Sequence, residues 1–83
     1  MVIILKLNEA VSCRLNQLLE EHKMTQYQLY IRSGISKSTI ANISKCAYDS
    51  VKLRVLHEIC QGIGIGLEEF FRSPLFDEQN LEP

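Results

Sequence analysis

Long apolar runs are missing from this 83-residue chain. The opening Val2-Ile3-Ile4-Leu5-Lys6-Leu7 is too short to span a bilayer or to form the core of a signal peptide. Nothing therefore directs the chain out of the cytoplasm, and no membrane partner is expected. Cysteine spacing suited to chemistry is missing too. Cys13, Cys46 and Cys60 leave at least one thiol unpaired and form no Cys-x-x-Cys or Cys/His ligand set. They read as buried or incidental thiols, with no metal and no cofactor expected. A phosphate-binding glycine loop, an acid and base paired across a cleft, and a recognisable nucleophile pair are also lacking, so an enzyme is not expected. There is no strand alternation after residue 7, no internal repeat and no low-complexity segment. A net positive charge is missing as well, the formal charge being -1.

The distribution of charge says more than the sum. Between Lys23 and Arg54, six basic residues face Asp49 alone, a local balance of +5. From Leu67 to Pro83, Arg72 faces five carboxylates, a balance of -4. A basic middle thus precedes an acidic end. The length fits one small domain whose stability is modest or shared with a second copy.

The local signals within the basic middle are those of helices. Thr25 followed by Gln28 is a capping box, so a helix starts there and runs to Arg32 or Ser33. Gly34 supplies the turn, Ile35 fills the angle, and Ser36 caps a further helix that runs to Ser44. This is a helix-turn-helix. Its second helix presents Lys37, Ser38, Thr39 and Asn42 on one side and Ile40 and Ile43 on the other. Those polar types hydrogen-bond base edges and phosphates, which points to double-stranded DNA as partner.

Around this motif, Asn8 is a candidate cap for a first helix carrying Val11, Leu15, Leu18, Leu19 and His22 at helical spacing. Ser50 is the candidate cap of a fourth helix carrying Leu53, Leu56, Ile59, Cys60 and Ile63, ended by Gly62 and Gly64. Leu67 to Phe71 predicts a short fifth helix before Pro74. Val2 to Leu7 is rich in β-branched residues and favours a short N-terminal strand with nothing in the chain to pair with. The expected division is a strand or arm over 1–8, a DNA-binding domain over 9–72 and an acidic tail over 73–83, frayed beyond Phe76.

The run Thr25-Gln26 to Leu29, then Ser33-Gly34-Ile35-Ser36-Lys37-Ser38-Thr39-Ile40, then Leu53 to Ile63 and Leu67-Glu68-Glu69-Phe70-Phe71, resembles the Cro/phage-repressor-type (XRE-family) helix-turn-helix over residues 11–72. The resemblance implies an all-α, five-helix lambda-repressor-like fold with the helix Ser36–Ser44 in the major groove. Gln26 matches a position that holds a phosphate and supports the reading helix. Lys37, Ser38 and Asn42 match base-reading positions, Thr39 a phosphate or methyl contact, and Lys45 and Lys52 contacts to the flanking backbone. With the cap Ser36, these eight residues form the expected DNA-binding set. Chemically, Asn42 suits the two-point contact with adenine and Lys37 the guanine acceptors. Three positions depart from the family. Tyr30 stands where a small residue lets the two helices approach, Cys46 where a glycine ends the reading helix, and Gly66 where Ser or Asp caps the last helix.

The expected function is a sequence-specific transcriptional regulator, a repressor occupying a near-palindromic operator as a homodimer with reading helices one DNA turn apart, about 34 Å. Two surfaces suit the dimer: the Val2–Leu7 strand paired with its mate, and the patch of Phe70, Phe71, Leu75 and Phe76. The alternative is an antitoxin-like interaction module whose tail and Phe patch bind a partner protein.

Overall fold

The computed structural model describes residues 4–83, which form five α-helices and two short 3-10 turns with no sheet. The helices are α1 (Leu7–Glu21), α2 (Gln26–Ser33), α3 (Lys37–Ser44), α4 (Leu53–Ile63) and α5 (Leu67–Phe71). Their apolar stripes meet in one core built on Leu15 and Leu18 of α1, Leu29 of α2, Ile40 of α3, Ile59 of α4 and Phe70 of α5. Cys60 is fully buried in it. Burial pushes its thiol pKa up, so it packs as a neutral, apolar side chain. His22, by contrast, lies exposed at the end of α1.

The start of α1 corrects the sequence expectation. The Lys6 N–H donates to the Glu9 carboxylate at 2.8 Å, which closes the helix end at Leu7 and makes Lys6, not Asn8, the cap residue. Asn8 is released to hold a distant loop. The helix also consumes the C-terminal part of the expected strand. Val2 and Ile3 lie outside the described residues, and what remains of the strand is a single parallel bridge between Leu5 and Leu81. The Leu5 N–H donates to Asn80 O and the Glu82 N–H to Leu5 O, both at 2.8 Å. Leu5 therefore finds its partner inside the chain.

That bridge belongs to a tail that is ordered beyond Phe76, contrary to the expectation of fraying. Pro74–Phe76 and Glu78–Asn80 each form a 3-10 turn, and the Asn80 amide donates back to Pro74 O at 2.7 Å. Phe76 packs its ring on Phe71 at 4.9 Å and Phe70 at 6.0 Å between centroids. The aromatic patch expected to form an interaction surface is therefore largely internal. Phe70 is core, Leu75 and Phe76 are half-buried, and Phe71 keeps 38% exposure.

Arg14 anchors this end of the molecule. Although 8% exposed, its guanidinium donates Nε–H to Phe70 O at 2.7 Å and an Nη–H to Glu69 O at 2.8 Å. A cation on the carbonyls at the end of α5 satisfies them and complements the negative end of the helix dipole. Among the described residues no buried side-chain nitrogen or oxygen lacks a partner.

Helix α4 begins at Leu53 with Lys52 as cap residue and no side-chain cap, two residues beyond the expected Ser50. Gly62, expected to help end α4, instead lies inside it at the closest approach to α2. A Cβ there would stand 2.8 Å from Leu29 Cδ1 and 2.9 Å from Ser33 Cβ. Helix α4 ends at Gly64. Gly62→Ala should therefore lower stability by up to about 2 kcal/mol in urea unfolding, because the overpacking cost of about 1–3 kcal/mol outweighs the gain of about 1 kcal/mol in helix propensity. An unchanged or raised midpoint would show that α2 yields freely.

Candidate nucleic-acid interface

The motif begins with the capping box as the sequence suggests. Thr25 Oγ1 accepts from the Gln28 N–H at 3.1 Å, while the Thr25 N–H donates to Gln28 Oε1 at 2.9 Å. Helix α2 ends at Gly34 with φ +77°, a left-handed conformation that an L side chain rarely adopts. Ile35 is buried in the angle, and Ser36 Oγ accepts from the Thr39 N–H at 3.2 Å to cap α3. The same hydroxyl donates to Thr39 Oγ1 at 2.8 Å, which leaves the Thr39 hydroxyl proton available to an acceptor outside.

The two faces of α3 differ sharply. Ile40 and Ile43 are buried against the core, whereas Ser36, Lys37 and Ser38 are exposed and Thr39 and Asn42 half-buried. Lys45, at the end of α3, is exposed, as are Gln26 and Lys52. Among the described residues no carboxylate lies within salt-bridge distance of Lys37, Lys45, Lys52, Arg32 or Arg54, the ion pair present being Arg72 with Glu68 at 2.8 Å. The positive charge of these side chains is thus available to an external anion.

Lys37 is held rather than free. Its Nζ lies 5.0 Å above the Tyr27 ring centroid and 5.2 Å from that of Tyr30, and the two rings are 5.9 Å apart. Tyr30, which replaces a small residue of the resembling family, therefore turns its ring toward the start of α3 and Lys37.

The far end of α3 is tied to the rest of the domain at Ser44. Its carbonyl accepts from Ser12 Oγ at 2.7 Å and from Asn16 Nδ2 at 2.9 Å. Its hydroxyl donates to Asn16 Oδ1 and accepts from Gln26 Nε2 at 3.0 Å. Gln26 thus connects the start of α2 to the end of α3. The chain then turns at Cys46, whose φ of +58° is left-handed. Ala47 N–H returns to Asn42 O at 2.8 Å. Asn8 Nδ2 donates to Tyr48 O at 2.8 Å and approaches Cys46 Sγ at 3.4 Å, and Asn42 Nδ2 donates to the Tyr48 hydroxyl at 2.9 Å.

The model of the Cro/C1-type helix-turn-helix DNA-binding domain matches residues 14–74. The chain belongs to this family. A Cro/C1-type domain is a DNA-binding unit and not an enzyme, in keeping with the sequence reading. Two structures share its fold, both of the restriction-modification controller protein C.Esp1396I. The wild-type form gives a TM-score of 0.72 at 23% identity, covering 77% of this chain and 82% of that one. A tyrosine-to-phenylalanine mutant of that controller gives 0.75 at 23% identity, covering 83% and 86%. No curated protein matches the sequence.

Sequence reasoning missed Ser12, Asn16, Tyr27 and Tyr48. Ser12 and Asn16 stand four residues apart on one face of α1, a spacing that marks a shared face but not what it meets. Tyr48 lies in a loop whose path no local signal discloses. Cys46 supplies a test of the loop. Relieving its left-handed strain with Cys46→Gly should raise stability by about 1 kcal/mol in urea unfolding. A loss would mean that the contact of its sulfur with Asn8 outweighs the strain.

Proposed function

We propose that this Cro/C1-type domain is a cytoplasmic, sequence-specific transcriptional regulator that represses by occupying an operator. The observation that carries the reading is the helix α3 itself, buried along Ile40 and Ile43 and polar along Lys37, Ser38 and Asn42, with cations around it that pair with no carboxylate among the described residues. A major groove about 12 Å wide admits such a helix and shows a different donor and acceptor set for each base pair. In this reading Lys37, Ser38 and Asn42 meet base edges. Gln26, Ser36 and Thr39 meet phosphates near the start of the two helices, and Lys45 and Lys52 meet the flanking backbone. No helix among the described residues is long and apolar enough to cross a membrane.

One such domain covers half a site, so the reading includes a homodimer on a near-palindromic operator. Leu5 has both backbone groups engaged with the tail, which disfavours strand exchange between copies. The antitoxin-like alternative needs a free tail and an open Phe patch. Phe70 is buried and the tail is bonded to Leu5, so these observations favour the regulator.

The test is selection of bound sites from randomised duplex DNA at two salt concentrations, with molar mass measured in solution. An enriched inverted repeat, steep salt dependence and a dimer mass are expected. Absence of enrichment by folded protein would overturn the reading. Asn42→Ala should relax preference at one base pair per half-site, with a loss of about 1–3 kcal/mol in discrimination and little change in non-specific binding. An equal loss for all sequences would remove Asn42 from the base-reading set. Lys45→Ala and Lys52→Ala should each weaken binding to all sequences and flatten the log K against log salt slope by about 0.9. Unchanged slopes would place both lysines off the DNA.

A further inference from the structure

We propose that Tyr48 is a specificity-positioning residue. Its hydroxyl takes one Nδ2 hydrogen of Asn42 and so holds that carboxamide in one place at the rim of the reading face. The inference rests on the DNA-binding reading above and adds to it a residue outside the helix-turn-helix.

The chemistry of the contact sets the requirement. To recognise adenine at two points, Asn must accept from N6–H with Oδ1 and donate to N7 with Nδ2. An amide turned over by half a rotation offers the reverse set and meets adenine badly. The Asn amide carries two Nδ2 hydrogens. In the structure one of them goes to the Tyr48 hydroxyl at 2.9 Å, which leaves the second hydrogen and Oδ1 for a base. Without the phenol the carboxamide is free to swing away from this position, so part of the ordering would have to be supplied on binding.

The phenol is itself held by the fold. Asn8 of α1 fastens the Tyr48 backbone by its hydrogen bond of 2.8 Å to the carbonyl. The left-handed turn at Cys46 and the 2.8 Å bond from Ala47 N–H to Asn42 O fold the loop back over the end of α3. Asn42 is half-buried and Tyr48 is 39% exposed, so the pair lies at the rim of the reading face and not in the core. A chain of contacts thus runs from Asn8 through Tyr48 to Asn42.

Tyr48→Phe removes the hydroxyl and keeps the ring. Wild type, Tyr48→Phe, Asn42→Ala and the double variant are compared on a randomised duplex library, and then on the selected site and its single-base substitutions. Thermal midpoints confirm that each is folded. Asn42→Ala identifies the base pair that Asn42 reads. Tyr48→Phe is expected to cut preference at that same base pair by about threefold to tenfold, leaving preferences elsewhere and the salt slope at their wild-type values. The double variant is expected to be no less selective than Asn42→Ala. If Tyr48→Phe proves unstable, Asn8→Ala, which frees the loop but keeps the phenol, is expected to reduce preference at the same position. An unaltered preference in Tyr48→Phe overturns the proposal while leaving the DNA-binding reading intact. A uniform loss with a flatter salt slope also overturns it, since the phenol would then be a phosphate contact. No selection by wild type overturns both.

Discussion

An α-helix of eight residues does not persist by itself in water, because isolated helices shorter than about 12–15 residues are marginal even with good propensity. Everything α3 does depends on what holds its ends and its inner face. The Ser36 hydroxyl occupies one end and the Ser44 junction the other, where α1 and α2 supply three donors between them. Ile40 and Ile43 then fix its rotation, each worth about 1.5–3 kcal/mol on full burial. A helix tied in this way has little freedom to rotate about its axis. The side chains on its outer face accordingly inherit their direction from the core.

Charge follows a similar division. Arg14, the buried cation among the described residues, is satisfied by two backbone carbonyls of α5 and acts within the fold. The exposed cations from Lys23 to Arg54 have no carboxylate partners among the described residues. The acidic tail offsets them in the sum, but among the described residues none of its carboxylates pairs with them, and charges separated by more than the screening length of about 8 Å at physiological salt act nearly independently. A net charge of -1 is therefore compatible with a locally basic DNA-facing surface.

The features legible in the sequence are those with a short physical range. Thr25 with Gln28, Gly34, and Ser36 with Thr39 act over two or three residues, and the structure shows each bond or turn that their identities suggest. What the sequence does not disclose is a partner that lies far along the chain. Leu5 looked like a strand without a mate because Leu81 follows 76 residues later. Gly62 looked like a helix terminator because nothing local reveals Ser33 beside it. Asn8 looked like a cap because a capping amide and a loop-binding amide are the same side chain. Its actual partners, Cys46 and Tyr48, belong to a loop that only the tertiary fold brings near.

Tyr30 shows how a departure from family pattern is absorbed. A ring placed between α2 and α3 would force them apart. Here the half-buried ring packs at the edge of the core, facing the start of α3, and shares the Lys37 ammonium with Tyr27. The arrangement limits the lysine without trapping it. A cation over an exposed aromatic ring gains about 0.5–1 kcal/mol, whereas a good contact to guanine discriminates by about 1–3 kcal/mol. In the proposed reading the base contact is the stronger of the two, so rings that hold Lys37 over the start of α3 in the free protein would release it to acceptors in the groove. Less side-chain entropy is then left to lose on binding, because the lysine has already surrendered part of it to the rings. On that reading, the bulk of Tyr30 prepares Lys37 for the groove and does not obstruct the motif.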